Sequence, residues 1–226
     1  MADKSAPLRI LCLHGYRQSA EIFRERTGAL RKILKKHAEL TYISGPLRIR
    51  HPPPGQAGQS EGLEEDSRGW WFSNAQEQSF HAEEVCQSAQ GLEESLEVVS
   101  RAMQEQGPFD GILGFSQGAA LVAMIVGLQE QSADPRFQPG FRFAILIAGF
   151  ASLCEQHARF YASPIYLPTL HVFGETDKVI PEAMSRKLLP AFQGAVDLTH
   201  SGGHYVPATG TQKQRYCQFL ERFIRK

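Results

Sequence analysis

The pentapeptide Gly114-Phe115-Ser116-Gln117-Gly118 places a serine hydroxyl between two glycines. It follows the apolar run Gly111-Ile112-Leu113 and opens the run Ala119–Ile125. Strand, sharp turn and helix in that order make Gly-x-Ser-x-Gly a nucleophile elbow. The serine backbone is strained there, and side chains two residues away on either side would collide with the neighbouring strand or helix. Such a turn lifts Ser116 Oγ clear of a sheet. It also aims the Gln117 N–H, at a helix N-terminus, toward a developing oxyanion. The pentapeptide occurs by chance in glycine-rich turns, so the rest of the chain has to supply its partners.

A serine hydroxyl is a weak nucleophile until a base takes its proton, and the base needs a third group to orient it. Two later segments offer these groups. Gly174-Glu175-Thr176-Asp177 follows the apolar run Leu170–Phe173, and Gly202-Gly203-His204 follows Ala195–Thr199. Imidazole, with a reference pKa of about 6.5, suits the base near neutral pH. Glu175 competes with Asp177 for the acid, and His200 with His204 for the base. His171 reads as a satisfied strand histidine. The order Ser116, Asp177, His204 is that of α/β-hydrolases. A second oxyanion donor is expected from the loop after an early strand, where His14-Gly15-Tyr16 stands; the Tyr16 N–H is the choice. His14 reads as structural, bonding the loop backbone.

The elements that must position these groups are legible as apolar runs. Leu8–Leu13, Leu40–Ile43, Gly111–Leu113, Phe143–Ile147, Leu170–Phe173 and Ala195–Thr199 read as strands. Phe23, Thr27, Leu30 and Leu34 at helical spacing predict one amphipathic helix of about 15 residues. Further helices are expected around Leu92–Met103, after Ser116, around Glu182–Phe192 and around Gln212–Ile224. Alternating strands and helices imply a mainly parallel sheet with helices on both faces, with catalytic groups at the strands' carboxyl ends. A single domain over residues 1–226 is expected. Residues 47–69 are polar, with His51-Pro-Pro-Pro54 and several glycines, and read as a mobile flap anchored by Trp70-Trp71-Phe72. Trp70, Trp71, Phe72, Phe150, Tyr166 and Tyr205 are candidates for an apolar pocket wall, against the reading that they are ordinary core aromatics.

Composition narrows the classes. The 226 residues carry 24 Lys+Arg and 24 Asp+Glu, so neither nucleic acid nor an acidic solvating tail is indicated. The amino terminus has no apolar core of a secretory signal, and no apolar run reaches membrane-span length. A cytoplasmic or nuclear location is expected. Cys12, Cys86, Cys154 and Cys217 are widely and irregularly spaced, which suits reduced structural thiols; neither they nor the eight histidines have metal-ligand spacing.

The chain resembles the FSH/LovG family of eukaryotic serine hydrolases. The resemblance rests on Leu11–Ser19, Arg68–Phe72, Gly107–Ala120, Leu170–Pro181 and His200–Pro207. Residues 47–67 and 151–166 give no sharp match. The resemblance implies an α/β-hydrolase fold and carboxylesterase activity, with Ser116 as nucleophile and Asp177 and His204 as charge-relay partners. It also implies no metal or organic cofactor, and acyl ester substrates with a sizeable apolar chain. A thioesterase would use the same groups. A non-catalytic binding module on a hydrolase scaffold is the alternative of a different class.

Overall fold

The computed structural model describes residues 6–49 and 66–224. Six strands form one parallel sheet: β1 (Leu8–Leu13), β2 (Ala38–Ile43), β5 (Gly111–Phe115), β6 (Phe143–Ile147), β7 (Thr169–Gly174) and β8 (Val196–His200). Their order across the sheet is β2-β1-β5-β6-β7-β8. β5 and β6 are buried at every position, which explains why they read as continuous apolar runs rather than alternating ones. Two short strands, β3 (Leu47–Arg48) and β4 (Arg68–Gly69), pair antiparallel apart from this sheet.

The chain runs from β1 out to β2, then crosses back past β1 to β5 and continues to β8. Right-handed crossovers therefore put α1 (Ala20–Arg26) and α2 (Gly28–Leu34) on one face. They put α3 (Leu92–Gln106), α4 (Gln117–Glu130) and α5 (Glu182–Leu188) on the other. α6 (Gly210–Glu221) returns to the first face, packing on α2 and laying Phe219 edge-on against Phe143 of β6. The direction of winding reverses between β1 and β5. In such sheets the crevice at that switch point is where ligands bind.

Three expectations need correction. The predicted single helix over Phe23–Leu34 is two, broken at Thr27. The Thr27 backbone leaves helical geometry at φ −98° and ψ 18°, its hydroxyl bonded back to Phe23 O at 2.6 Å and in contact with Tyr42 Oη, and Gly28 follows. The helix expected to reach Phe192 ends at Leu188, and Pro190 permits only a short 3₁₀ turn beyond it. The ends of the expected flap 47–69 are tied together as β3 and β4, because Leu47 and Arg48 register with Gly69 and Arg68. Its middle, residues 50–65, lies outside the described residues.

Among the described residues no helix is long and apolar enough to cross a membrane, and no group of three His, Cys, Asp or Glu could hold a metal ion. All four cysteines are free thiols, with Cys86 and Cys154 facing each other across an isolated parallel bridge.

Candidate active site

Ser116 ends β5 and caps α4 with φ 55° and ψ −120°, a left-handed backbone that a non-glycine residue adopts only under constraint. The constraint is visible on both sides. A Cβ on Gly114 would stand 2.4 Å from Gly118 O, and one on Gly118 would stand 2.4 Å from His14 O. The Ser116 N–H donates to Ile147 O of the neighbouring strand at 2.8 Å, fixing the turn to the sheet. Behind the turn, α4 is buried on every side from Gln117 to Leu128, so it cannot roll.

Asp177 follows β7 and His204 follows β8, each on a loop at the strand's carboxyl end. His204 Nε2 lies 3.1 Å from Ser116 Oγ, and His204 Nδ1 lies 2.7 Å from Asp177 Oδ2. The second carboxylate oxygen, Oδ1, accepts the Val179 and Ile180 N–H groups at 2.8 and 2.9 Å. Burial alone would raise the Asp177 carboxyl. The hydrogen bonds from His204, Ile180 and Val179 more than offset that and hold it below the usual carboxylate range. An ionised Asp177 favours the tautomer with the proton on Nδ1, an arrangement in which Nε2 could accept a proton from the serine. The Phe115 ring, 4.7 Å from that of His204, backs the imidazole.

The competing residues are otherwise engaged. Glu175 is exposed on the outer side of the loop. His200 Nδ1 accepts the Gly202 N–H at 3.2 Å, and its ring packs on Tyr205. His171 is buried within β7, bonded to Thr169 Oγ1 at 3.1 Å.

Tyr16 stands at the end of β1, across the switch-point crevice from Gln117 at the start of α4. Among the described residues neither backbone N–H has an acceptor, so both are free to bind an oxyanion. His14 spans the loop: Nδ1 donates to Gly15 O at 2.7 Å and Nε2 accepts the Gly45 N–H at 2.8 Å. Burial lowers its pKa to about 4, so it stays neutral and both bonds persist.

The structure deals differently with the aromatic wall. Trp70, Trp71, Phe72 and Phe150 are at most 3% exposed and belong to the packed interior, so they do not line an open pocket. Trp71 meets Phe80 and His157 edge-on, and Phe80 also touches Tyr16 and Phe150. Phe80 was missed: a lone phenylalanine in the polar stretch 73–91 carries no periodic signal. Tyr205 is 49% exposed beside His204. Tyr166 precedes β7, at the amino ends of the strands and away from the site.

The family model described as serine hydrolase FSH1 matches residues 3–216. The chain belongs to the FSH1 serine hydrolase family. Among curated relatives of this FSH1 hydrolase, esterase OVCA2 of Danio rerio is 57% identical over 226 residues, covering 97% of this chain and 99% of the relative. Esterase OVCA2 of Homo sapiens is 50% identical over 225 residues, covering 96% and 97%. The fold is that of solved hydrolases. Acyl-protein thioesterase 2 of Zea mays superposes with a TM-score of 0.65 at 18% identity, covering 98% of this chain and 95% of that one.

Proposed function

We propose that this FSH1 hydrolase is a carboxylesterase that works through an acyl-enzyme formed on Ser116. The observation that carries the reading is the continuous path Ser116 Oγ, His204 Nε2, His204 Nδ1, Asp177 Oδ2, with hydrogen-bond distances of 3.1 and 2.7 Å. His204 takes the proton as Ser116 Oγ attacks the ester carbonyl. The oxyanion settles between the Tyr16 and Gln117 N–H groups. His204 returns the proton to the leaving alcohol, and water then repeats the sequence on the acyl-enzyme. None of these steps calls on a metal or organic cofactor.

The substrate class in this proposal is a small-molecule ester with a medium to long alkyl chain. Leu153, Val179 and Tyr205 are large apolar side chains exposed on loops at the carboxyl ends of β6, β7 and β8, the end that carries the site. Each methylene they cover contributes up to about 0.8 kcal/mol. A thioester offers the same carbonyl to the same serine. A cytoplasmic or nuclear place of action accords with a chain in which no described helix could span a membrane.

A fluorophosphonate probe tests the reading. It should label wild type at Ser116, located by peptide mass, and leave S116A unlabelled. S116A should retain the wild-type Tm and lose on the order of 10⁴–10⁶ in kcat. Wild-type turnover by folded S116A would overturn the proposal. A series of p-nitrophenyl esters and matched thioesters then ranks the acyl chains and the leaving atom.

A further inference from the structure

Gln117 is fully buried although its side chain is a carboxamide, and both ends of that carboxamide are used. Oε1 accepts the Trp70 N–H at 2.9 Å, and Nε2 donates to Trp71 O at 2.7 Å. The segment it holds reaches onward to the loop on the other side of the crevice. Arg17 N donates to Arg68 O at 2.8 Å, Arg68 N to Gln18 O at 2.9 Å, and Trp70 Nε1 to His14 O at 2.8 Å. Gly69 passes so close to the Tyr16 ring that a Cβ there would stand 3.1 Å from it. Residues 68–71 are thus a bar, tied at three points to loop 14–18. Among the described residues its hydrogen bonds to α4 are the two from the Gln117 side chain.

We infer that the Gln117 carboxamide is a positioning residue that sets the gap between the Tyr16 and Gln117 backbone N–H groups. This rests on the proposed reading of those two amides as the oxyanion donors. Gly118 already limits how closely α4 approaches loop 14–18, because its Cα side abuts Leu13 O and His14 O. The β1–β5 ladder ends at Leu13 and Gly114, and beyond it contact alone sets no upper limit on the separation. The carboxamide supplies that limit by tethering the bar to the residue whose own N–H is one of the donors. Two donors must be held at hydrogen-bond distance from one oxygen that carries charge only in the transition state. A loosened gap therefore slows the chemistry without weakening ground-state binding.

Two variants and one inhibitor test the inference. Q117M keeps the volume and removes both hydrogen bonds; its backbone N–H remains. With a soluble p-nitrophenyl ester its kcat should fall about tenfold to a hundredfold, the scale of a misplaced catalytic group, while KM stays within about twofold. Its inhibition constant for a trifluoromethyl ketone, which forms a tetrahedral oxyanion on the serine, should rise by the same factor as kcat/KM falls. Q117E at pH 8 should be at least as slow, because a carboxylate faces Trp71 O. Burial raises such a carboxyl, and once protonated it can donate to Trp71 O. The ratio of Q117E to wild-type kcat/KM should therefore climb as the pH falls.

A role confined to stability would instead lower Tm and leave kcat/KM and ketone affinity at wild-type values well below Tm. Folded Q117M within about threefold of wild type on both measures overturns the inference. If Q117M does not fold, the pH dependence of the Q117E ratio decides, a flat ratio counting against it. A structure of the wild-type ketone adduct separates the two layers. An oxyanion away from both N–H groups sinks the oxyanion reading and this inference with it. An oxyanion between them, with Q117M unaffected, leaves the reading intact and removes the carboxamide's role.

Discussion

Gly118 and His14 are in backbone contact: a Cβ on Gly118 would stand 2.4 Å from His14 O and 2.5 Å from Leu13 O. The first turn of α4 is thereby seated directly on the end of β1. The proposed nucleophile and both proposed oxyanion donors lie within two residues of that contact. G118A should consequently push the helix and the loop apart. We expect a loss of about 1–3 kcal/mol from overpacking, seen in urea unfolding. The kcat/KM should drop about tenfold or more, with the fold retained. A variant as active and stable as wild type would show that the contact yields at no cost.

The two carboxylates of the β7 loop should differ sharply. Asp177 is buried with both oxygens bonded, whereas Glu175 is exposed. In D177N the side-chain oxygen can keep the Val179 and Ile180 amides, which turns its NH₂ toward His204 and favours the wrong tautomer. Steady-state kinetics should show a loss of roughly 10³–10⁴ in kcat for D177N and little change for E175Q. The reverse ranking would reassign the acid.

Acid should unfold the protein through three histidines. Burial holds His14 and His157 down to about 4 and His171 to about 3. In the unfolded chain each takes up its proton near the ordinary value of about 6.5. Between about pH 6.5 and pH 4 the unfolded state therefore binds more protons. Their contribution to stability is whole above that window and is lost as the pH falls through it. Each fully buried imidazole adds up to about 1.4 kcal/mol per pH unit to the slope. Asp177, held low in the fold, adds a further loss as the pH falls past the unfolded carboxylate value of about 3.9. Urea midpoints from pH 8 to pH 4.5 should be level at first and then fall steeply. A level profile down to pH 4.5 would contradict the buried neutral imidazoles.

Trp71 separates packing from substrate preference. It is 1% exposed and wedged between Phe80 and His157. W71A should cost about 3–5 kcal/mol of stability, as for a large aromatic removed from a core. If the ring only plugs the interior, the ratio of decanoate to acetate hydrolysis stays at its wild-type value. A ratio that collapses in W71A would mean that the acyl chain reaches the ring. Melting curves and both ester rates on the same preparation decide between the two.

The sequence by itself determined the parallel sheet, the elbow and the strand-end loops from which the three groups come. β5 and β6 read correctly because strands buried on both faces need apolar residues at every position. The elbow was legible because its constraint is local: Gly114 and Gly118 are demanded by backbone atoms a few residues away or on the adjoining strand. Ser116, Asp177 and His204 could be named from chain order, since each follows an apolar run that had to be a strand. Only the tertiary structure brought Asp177 rather than Glu175 against His204, and His204 rather than His200 against Ser116, because a shift of two to four positions past a strand end changes which side chain faces inward. It alone broke the first helix at Thr27, where a hydroxyl held by Phe23 O and Tyr42 Oη accompanies a non-helical backbone despite a sound amphipathic pattern. It sent Trp70 and Trp71 inward rather than to a pocket wall. It also joined Gln117 to a segment 46 and 47 residues away. Burial and hydrogen-bond partnership depend on which distant segments the fold brings together, and no local period or spacing encodes them.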